Sequence, residues 1–294
     1  NSDQVNGLEV VLPTGDVCRF GSCAIGASWF TNHPLPDVGL FFGWCGTTGI
    51  VTRLSIRLYP ARRIRGIGQF VVEDEELVPE IIGKITRTQM AEDVIAYSRA
   101  IPPFGLGLQH FTVNIAADTE KELEFKQEII WDDTLGEYIS RGQGGYLGFT
   151  RGLDHPQISK SSDYKKGGGF EYVGSIMPIE RYPECYRRGR EISERHDIPY
   201  TVTGRIVGVG HSMMFAWTYA FNRADPGSMR EAREALHETD DLVIELGGVI
   251  WKPGTYGQQL IIERLDPGTR ALMRRIKEVL DPEGIMNPGN WEGV

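Results

Sequence analysis

Few residues of this chain stand at spacings that chemistry demands. The run Arg141-Gly142-Gln143-Gly144-Gly145-Tyr146-Leu147-Gly148 has Leu147 where a dinucleotide-binding GxGxxG loop needs its third glycine, and no strand signal precedes it. There is no phosphate-cradling GxxxxGK[ST], no zinc-binding HExxH and no GxSxG nucleophile turn. The six histidines scatter without ligand spacing, and Cys18, Cys23, Cys45 and Cys185 include no CxxC pair, so no metal centre is expected and the thiols read as reduced. Two stretches rise above this background. One is Gly46-Thr47-Thr48-Gly49-Ile50-Val51-Thr52, leading to Pro60; the other is Leu280-Asp281-Pro282-Glu283-Gly284-Ile285-Met286-Asn287-Pro288-Gly289. Read singly, the first is a glycine turn before a strand and the second a helix end with proline stops.

The elements that must position these residues follow from periodicity. Strands flank the Pro13-Thr14-Gly15-Asp16 turn, and residues 50 to 60 alternate well enough to predict a half-buried strand. After a basic linker come a strand (GQFVVED), an amphipathic helix with Leu77, Ile81, Ile82 and Ile85 on one face, a strand (HFTVNIAA) and a helix capped by Asp118. Residues 131 to 169 read as one long polar loop. A second strand–helix–strand–strand–helix run follows, its last helix started by Asp225-Pro226, and a C-terminal helix spans Thr269 to Leu280. This order, without runs of buried valines, predicts an α+β fold with an antiparallel sheet and helices on one side.

Together and in this order, the two stretches resemble the FAD-linked oxidase superfamily of vanillyl-alcohol oxidase and p-cresol methylhydroxylase type. The patterns are G-T-x-G-I-V-T-x-x-x-x-x-L-x-P at Gly46 to Pro60 and K-x-x-L-D-P-x-G-I-x-N-P-G at Lys277 to Gly289. The resemblance implies that residues 1–63 are the C-terminal part of an FAD-binding domain, residues 64–270 a substrate (cap) domain and residues 271–294 a segment returning to the flavin. It implies that Gly46, Gly49, Ile50, Val51 and Asn287 lie against FAD; some members of the superfamily attach the flavin to a cap His or Tyr, and no residue here matches such a position, so noncovalent FAD is expected. It also implies that the first half of the FAD domain comes from elsewhere, as a separate chain or as a missing piece.

Two branches of the superfamily can be compared with the cap. The metal-binding G-D-G-N-x-H of the 2-hydroxy-acid oxidisers stands here as Gly208-Val209-Gly210-His211-Ser212-Met213, without its carboxylate. The G-x-Y-R-T-x-L of the phenol oxidisers stands as Gly254-Thr255-Tyr256-Gly257-Gln258-Gln259-Leu260, keeping the tyrosine and losing the arginine. Candidate groups are then Tyr256, hydrogen-bonding the substrate oxygen, and His211, as an acid or base or as a hydrogen-bonded core histidine. Arg205 and Lys252 could offset an anionic substrate, with a salt bridge and a solvated lysine as their plainer readings. The expected activity is dehydrogenation of a small alcohol, phenol or 2-hydroxy acid by hydride transfer to flavin N5; the alternative is a non-catalytic or partial subunit that another chain completes.

Composition bounds the partners. The 294 residues carry 31 Lys and Arg against 40 Asp and Glu, a formal net charge of −9, which excludes the general electrostatic footprint of a nucleic-acid binder. No apolar run is long enough to span a membrane, and no leader pattern opens the sequence, so a cytoplasmic protein, possibly homodimeric, acting on a small molecule is expected.

Overall fold

A computed structural model describes residues 2–35, 38–100, 107–151, 167–207 and 211–294. The chain divides into two units, Asn1–Pro60 with Lys252–Val294, and Ala61–Trp251. Residues 252–270, expected with the cap, therefore group with the first unit.

The first unit is built on a three-stranded antiparallel sheet, order β2-β1-β3, of β1 (Val5–Val11), β2 (Val17–Gly21) and β3 (Ile50–Ile56). The β1–β2 turn closes with the Leu12 amide donating to the Asp16 carbonyl at 2.9 Å, and Gly15 supplies the positive φ of 88° that the turn requires. Val5, Leu8 and Val10 are buried beneath Leu12, Phe20, Phe41 and Phe42. Helices α6 (Thr255–Arg264) and α7 (Pro267–Leu280) follow in the later part of the unit. Asp266 starts α7 by accepting from the Thr269 amide at 2.9 Å, with Pro267 in the first turn. The half-buried strand expected at residues 50–60 is instead an edge strand: Ile50, Val51, Leu54 and Ile56 are all exposed. Alternation tells which residues share a face and not whether that face is covered.

The second unit carries an eight-stranded sheet in the order β11-β8-β10-β9-β5-β6-β4-β7, with every pairing antiparallel. In chain order its strands are β4 (Ile64–Val72), β5 (Ala91–Ala100), β6 (Gln109–Ala117), β7 (Gly144–Arg151), β8 (Gly169–Pro178), β9 (Tyr200–Val207), β10 (Ser212–Phe221) and β11 (Val249–Trp251). The helices are α1 (Val78–Thr88), α2 (Glu120–Gln127), α3 (Gly136–Ser140), α4 (Tyr182–Arg195) and α5 (Pro226–Glu245), with a π-helix, Glu128–Leu135, between α2 and α3. Period-two alternation divides the sheet. Met213, Phe215, Trp217 and Tyr219 of β10 are buried, while Ser212, Met214, Ala216 and Thr218 between them are only half-buried. The buried face meets the helices: the Trp217 indole donates to the Cys185 carbonyl of α4 at 3.0 Å, and Tyr219 bonds Thr239 of α5 at 2.6 Å.

Three expectations are corrected. Residues 131–169 are not one loop; they contain the end of the π-helix, α3 and β7, and only residues 152–166 lie outside the described residues. The glycines of β7 hid the strand, yet Gly144 is there because a β-carbon would stand 2.4 Å from Cζ of Phe70. Strand β5 was not anticipated. Helix α2 is capped not by Asp118 but by Thr119, which accepts from the Glu122 amide, while the Glu122 carboxylate accepts from the Asp118 amide at 2.9 Å.

Trp131 of the π-helix lies on β4, where a β-carbon on Gly68 would fall 1.8 Å from its Cζ2. Gly68→Ala should destabilise the protein by about 1–3 kcal/mol through overpacking, read as a lower urea midpoint with unchanged m-value. Asp240 of α5 is buried, and burial together with neighbouring Asp241 pushes its carboxyl up to about 7. A carboxyl raised on folding contributes stability that is full below its unfolded value near 3.8 and lost as pH rises towards 7. Asp240→Asn should therefore flatten the decline of Tm across this window, as thermal melts at stepped pH would show.

Candidate functional site

In the first unit the two motifs meet. The loop Gly43–Thr48 is held from below by its own threonines: the buried Thr47 hydroxyl donates to the Trp44 carbonyl at 2.7 Å and that of Thr48 to the Leu40 carbonyl at 2.8 Å. Gly49 passes β1 so closely that a β-carbon would lie 2.7 Å from Cγ1 of Val10. The C-terminal segment then grips this loop from its other end. Asn287 Nδ2 donates to the Cys45 carbonyl at 2.5 Å, the Trp291 indole to the Gly43 carbonyl at 3.0 Å, and Lys277 Nζ to the Thr47 carbonyl at 2.8 Å. A β-carbon at Gly46 would come within 3.8 Å of the Asn287 amide nitrogen, and Gly46 has a φ of 75°.

The segment is itself ordered by two buried polar side chains. Asp281, with no exposed side-chain surface, pairs with Lys277 and accepts from the amides of Ile285 and Met286 at 3.0 Å each. Burial acts to raise its pKa, but the hydrogen bond from Lys277 and the two amides outweigh it, and the net shift is downward. Gln258 of α6 donates to Asn290 Oδ1 at 2.9 Å and to the Pro253 carbonyl at 3.1 Å, and accepts from the Trp291 amide at 2.6 Å. Gln258 was not among the expected site residues, although it lies two positions beyond Tyr256. A buried amide with both ends used is invisible to a motif search for reactive groups. Tyr256 stands in the first turn of α6 and is half-buried; Lys252 is exposed at a φ of 57°. Gly254 is the N-cap of this helix.

In the second unit, Arg205 of β9 sits opposite Ile95 of β5 on the half-buried sheet face and pairs with Asp93: Nε donates to Oδ1 at 2.9 Å, and Nη2 lies 2.9 Å from Oδ2 as an ion pair without hydrogen-bond geometry. The same face carries a group that sequence reasoning missed. Tyr97 of β5 and His110 of β6 are register partners whose rings stack 5.1 Å apart, with the Arg99 guanidinium 5.9 Å from the Tyr97 ring. Burial first, and the charge of Arg99 second, lower the His110 pKa, so its imidazole stays neutral to more acidic pH. The alternation Asp93, Ile95, Tyr97, Arg99 was the available signal. His211 does not join Arg205. It is exposed, not a core histidine, and lines a cleft of about 400 Å³ with Lys84 and Arg87 of α1 and Glu180. Residues Gly208 to Gly210 lie outside the described residues.

Comparison with known proteins gives the class. Residues 169–291 match the family of FAD linked oxidases, C-terminal domain. An uncharacterised FAD-linked oxidoreductase of Mycobacterium tuberculosis is 26% identical over 305 residues, covering 97% of this chain and 64% of the relative. A D-lactate dehydrogenase of Archaeoglobus fulgidus is 25% identical over 302 residues, covering 97% of this chain and 63% of that protein. The structure of 4-ethylphenol oxidase from Gulosibacter chungangensis, complexed with isoeugenol, superposes with a TM-score of 0.79 at 20% identity, covering 99% of this chain and 66% of that one. Residues 169–291 thus resemble the C-terminal domain of FAD linked oxidases, and the fold is shared with vanillyl-alcohol oxidase-type flavoproteins, as the two end motifs implied. The chain spans slightly under two thirds of the length of these relatives. Among the described residues no helix is long and apolar enough to cross a membrane.

The Asp281 node is testable apart from activity. Its lowered pKa contributes stability that is present above its unfolded value and lost as pH falls through the folded one, so the effect lies below about pH 4. Asp281→Ala should cost about 2 kcal/mol at pH 7. That difference should shrink towards pH 3 in denaturant titrations of both proteins.

Proposed function

We propose that this chain is the C-terminal part of an FAD-dependent dehydrogenase acting on a small alcohol, phenol or 2-hydroxy acid. The observation that carries the reading is the clasp between Asn287 and the Cys45 carbonyl, which joins two motifs 242 positions apart in one rigid loop with Gly46 at its crest. A loop with a bare glycine, fixed by buried threonines and followed by exposed Ile50 and Val51, fits a large flat ligand that lies against backbone. Gly46, Gly49, Ile50, Val51 and Asn287 would hold FAD here. When bound, FAD supplies a hydride acceptor at N5 for a hydride from the substrate C–H.

The chain's own residues orient the substrate and manage charge. Tyr256 would donate a hydrogen bond to the substrate oxygen, and Lys252 would offset negative charge developing there. Arg205, in the Ala61–Trp251 unit, is already paired with Asp93 and is assigned no part in holding the substrate. A partial subunit completed by another polypeptide is the second reading. It is favoured by one feature, the exposed Ile50, Val51, Leu54 and Ile56 of edge strand β3, a strip suited to cover by the remainder of an FAD domain from the same or another chain.

The test is made on the protein together with the segment that completes the FAD domain. The assembly should show flavin absorbance bands and bleach on addition of a para-alkylphenol or a 2-hydroxy acid. Tyr256→Phe should lower kcat/KM roughly tenfold, the worth of one hydrogen bond to a developing charge, with flavin absorbance unchanged. An assembly that takes up no flavin would leave the non-catalytic reading standing.

A further inference from the structure

A group of ligand-type side chains lies in the Ala61–Trp251 unit, where the C-terminal end of α4 packs on α5. His196 follows the last residue of α4 in a fixed turn. Its amide donates to the Ile192 carbonyl at 3.1 Å, Asp197 takes a φ of 48°, and the Ile198 amide returns to the Ser193 carbonyl at 3.0 Å. The imidazole is directed at α5 with only 12% of its side chain exposed. Nδ1 lies 3.2 Å from Glu231 Oε2, and Nε2 lies 3.0 Å from Glu238 Oε2. Glu234 completes the group: one donor atom each from His196, Glu231 and Glu234 lie within 4.8 Å of one another. The three glutamates fall at i, i+3 and i+7 of α5, along one stripe of the helix.

The hydrogen-bonding capacity of this group does not balance by itself. A neutral imidazole has one N–H and one lone pair, and carboxylate oxygens only accept. Both ring nitrogens of His196 face carboxylates, so one lone pair points at another unless a cation stands between them. Glu238 is held on one oxygen by Arg195, and its other oxygen takes the Nε2–H. That leaves the Nδ1 lone pair turned towards Glu231. Glu231 and Glu234 have no Lys or Arg partner among the described residues. A second proton on the ring would relieve Nδ1 but leave Glu234 unanswered, whereas a metal ion engages all three donors. Metal-binding histidines characteristically give their other ring N–H to a carboxylate, which fixes the tautomer, and Glu238 stands in that position. Bonds of about 2.0–2.2 Å to zinc set the corners of a tetrahedron roughly 3.3 Å apart. The separation of His196 Nδ1 from Glu231 Oε2, 3.2 Å, is close to that edge.

We propose that His196 Nδ1, Glu231 and Glu234 form a binding site for a divalent transition-metal ion of the zinc class, with Glu238 and Arg195 orienting the imidazole. One ring nitrogen with two carboxylates suits zinc over magnesium or calcium, which take all-oxygen sets. The bound ion ties the end of α4 to α5, and exposed Glu234 leaves its remaining position to water. The ligands come from two elements, so no short His or Cys spacing along the chain announces them. The site shares no residue with the proposed flavin and substrate reading, so it stands or falls independently.

The probes are Zn²⁺ and Co²⁺, added to the full chain without an affinity tag after treatment with chelator. Calorimetry should show saturable Zn²⁺ binding with a matching rise in Tm, and Mg²⁺ at equal concentration should give neither. Co²⁺ should develop the visible bands of a low-coordinate site. Glu234→Gln alters an exposed side chain outside any ion pair among the described residues, so it should leave the metal-free Tm unchanged and weaken Zn²⁺ about tenfold or more. His196→Gln should abolish the Co²⁺ bands, and Glu238→Gln should weaken Zn²⁺ by roughly ten- to a hundredfold. Circular dichroism of each metal-free variant keeps loss of fold distinct from loss of binding. Zn²⁺ affinity unchanged in Glu234→Gln and His196→Gln would put the metal on other histidines or on the cysteines and overturn the proposal. Absence of Zn²⁺ binding by the unaltered chain would overturn it equally.

Discussion

The first unit depends on a polar constraint more than on its core. Its sheet has only three strands and a small buried cluster of Val5, Leu8 and Val10, too little to fix the remote C-terminal segment. That segment is tied down by Asp281, which is buried and therefore must be fully bonded. Lys277 and two backbone amides satisfy it, and the same Lys277 ammonium reaches the Thr47 carbonyl. Gln258 plays the matching part from α6. An unsatisfied carboxylate or amide at either place would cost more than the surrounding apolar contacts return, so the loop and tail form one arrangement or none.

This explains why the two motifs are written as they are. In the C-terminal pattern the lysine and aspartate fall one helical turn apart, so that Asp281 at the helix end holds Lys277 while Lys277 reaches the loop. Asp281 then caps the turn through the Ile285 and Met286 amides, Gly284 takes a φ of 62°, and Asn287 a φ of 41°. The glycines of the first pattern do different jobs. Gly49 gives close passage over Val10, and Gly46 supplies a bare crest. Chemistry-bearing side chains are scarce in both stretches because their product is a shaped length of backbone.

Legibility followed the same division. The antiparallel sheet, the hairpin around Gly15 and the helices begun by Asp225-Pro226 and ended near Leu280 could be read from periodicity and cap residues, because those signals are local. The junction of loop and tail could be read only from its motifs, since no local property links residues so far apart. What escaped was of three kinds. Strand β7 was masked by its glycines, of which Gly144 admits Phe70, a reason lying on another strand. The burial of β3 was misjudged, because alternation carries no information on what lies beyond a sheet edge. Alternation along β5 puts Tyr97 and Arg99 on one face, but His110 joins them only through the β5–β6 register, which no spacing along the chain announces.

The second unit shows how one sheet can separate two kinds of surface. On the helix side, large rings are accommodated by glycines on facing elements: Gly189 of α4 lies where a β-carbon would meet Trp217 at 2.3 Å, and Gly204 of β9 admits Tyr182. That packing makes the sheet rigid, and period-two alternation projects its other residues to the opposite face at fixed spacing. On that face the charges are arranged in pairs whose geometry is set by register, Arg205 on Asp93 and Arg99 beside the stacked Tyr97 and His110. A face built in this way can vary its polar side chains without disturbing the core that holds them. The scaffold of this unit and the polar face it carries are therefore separable.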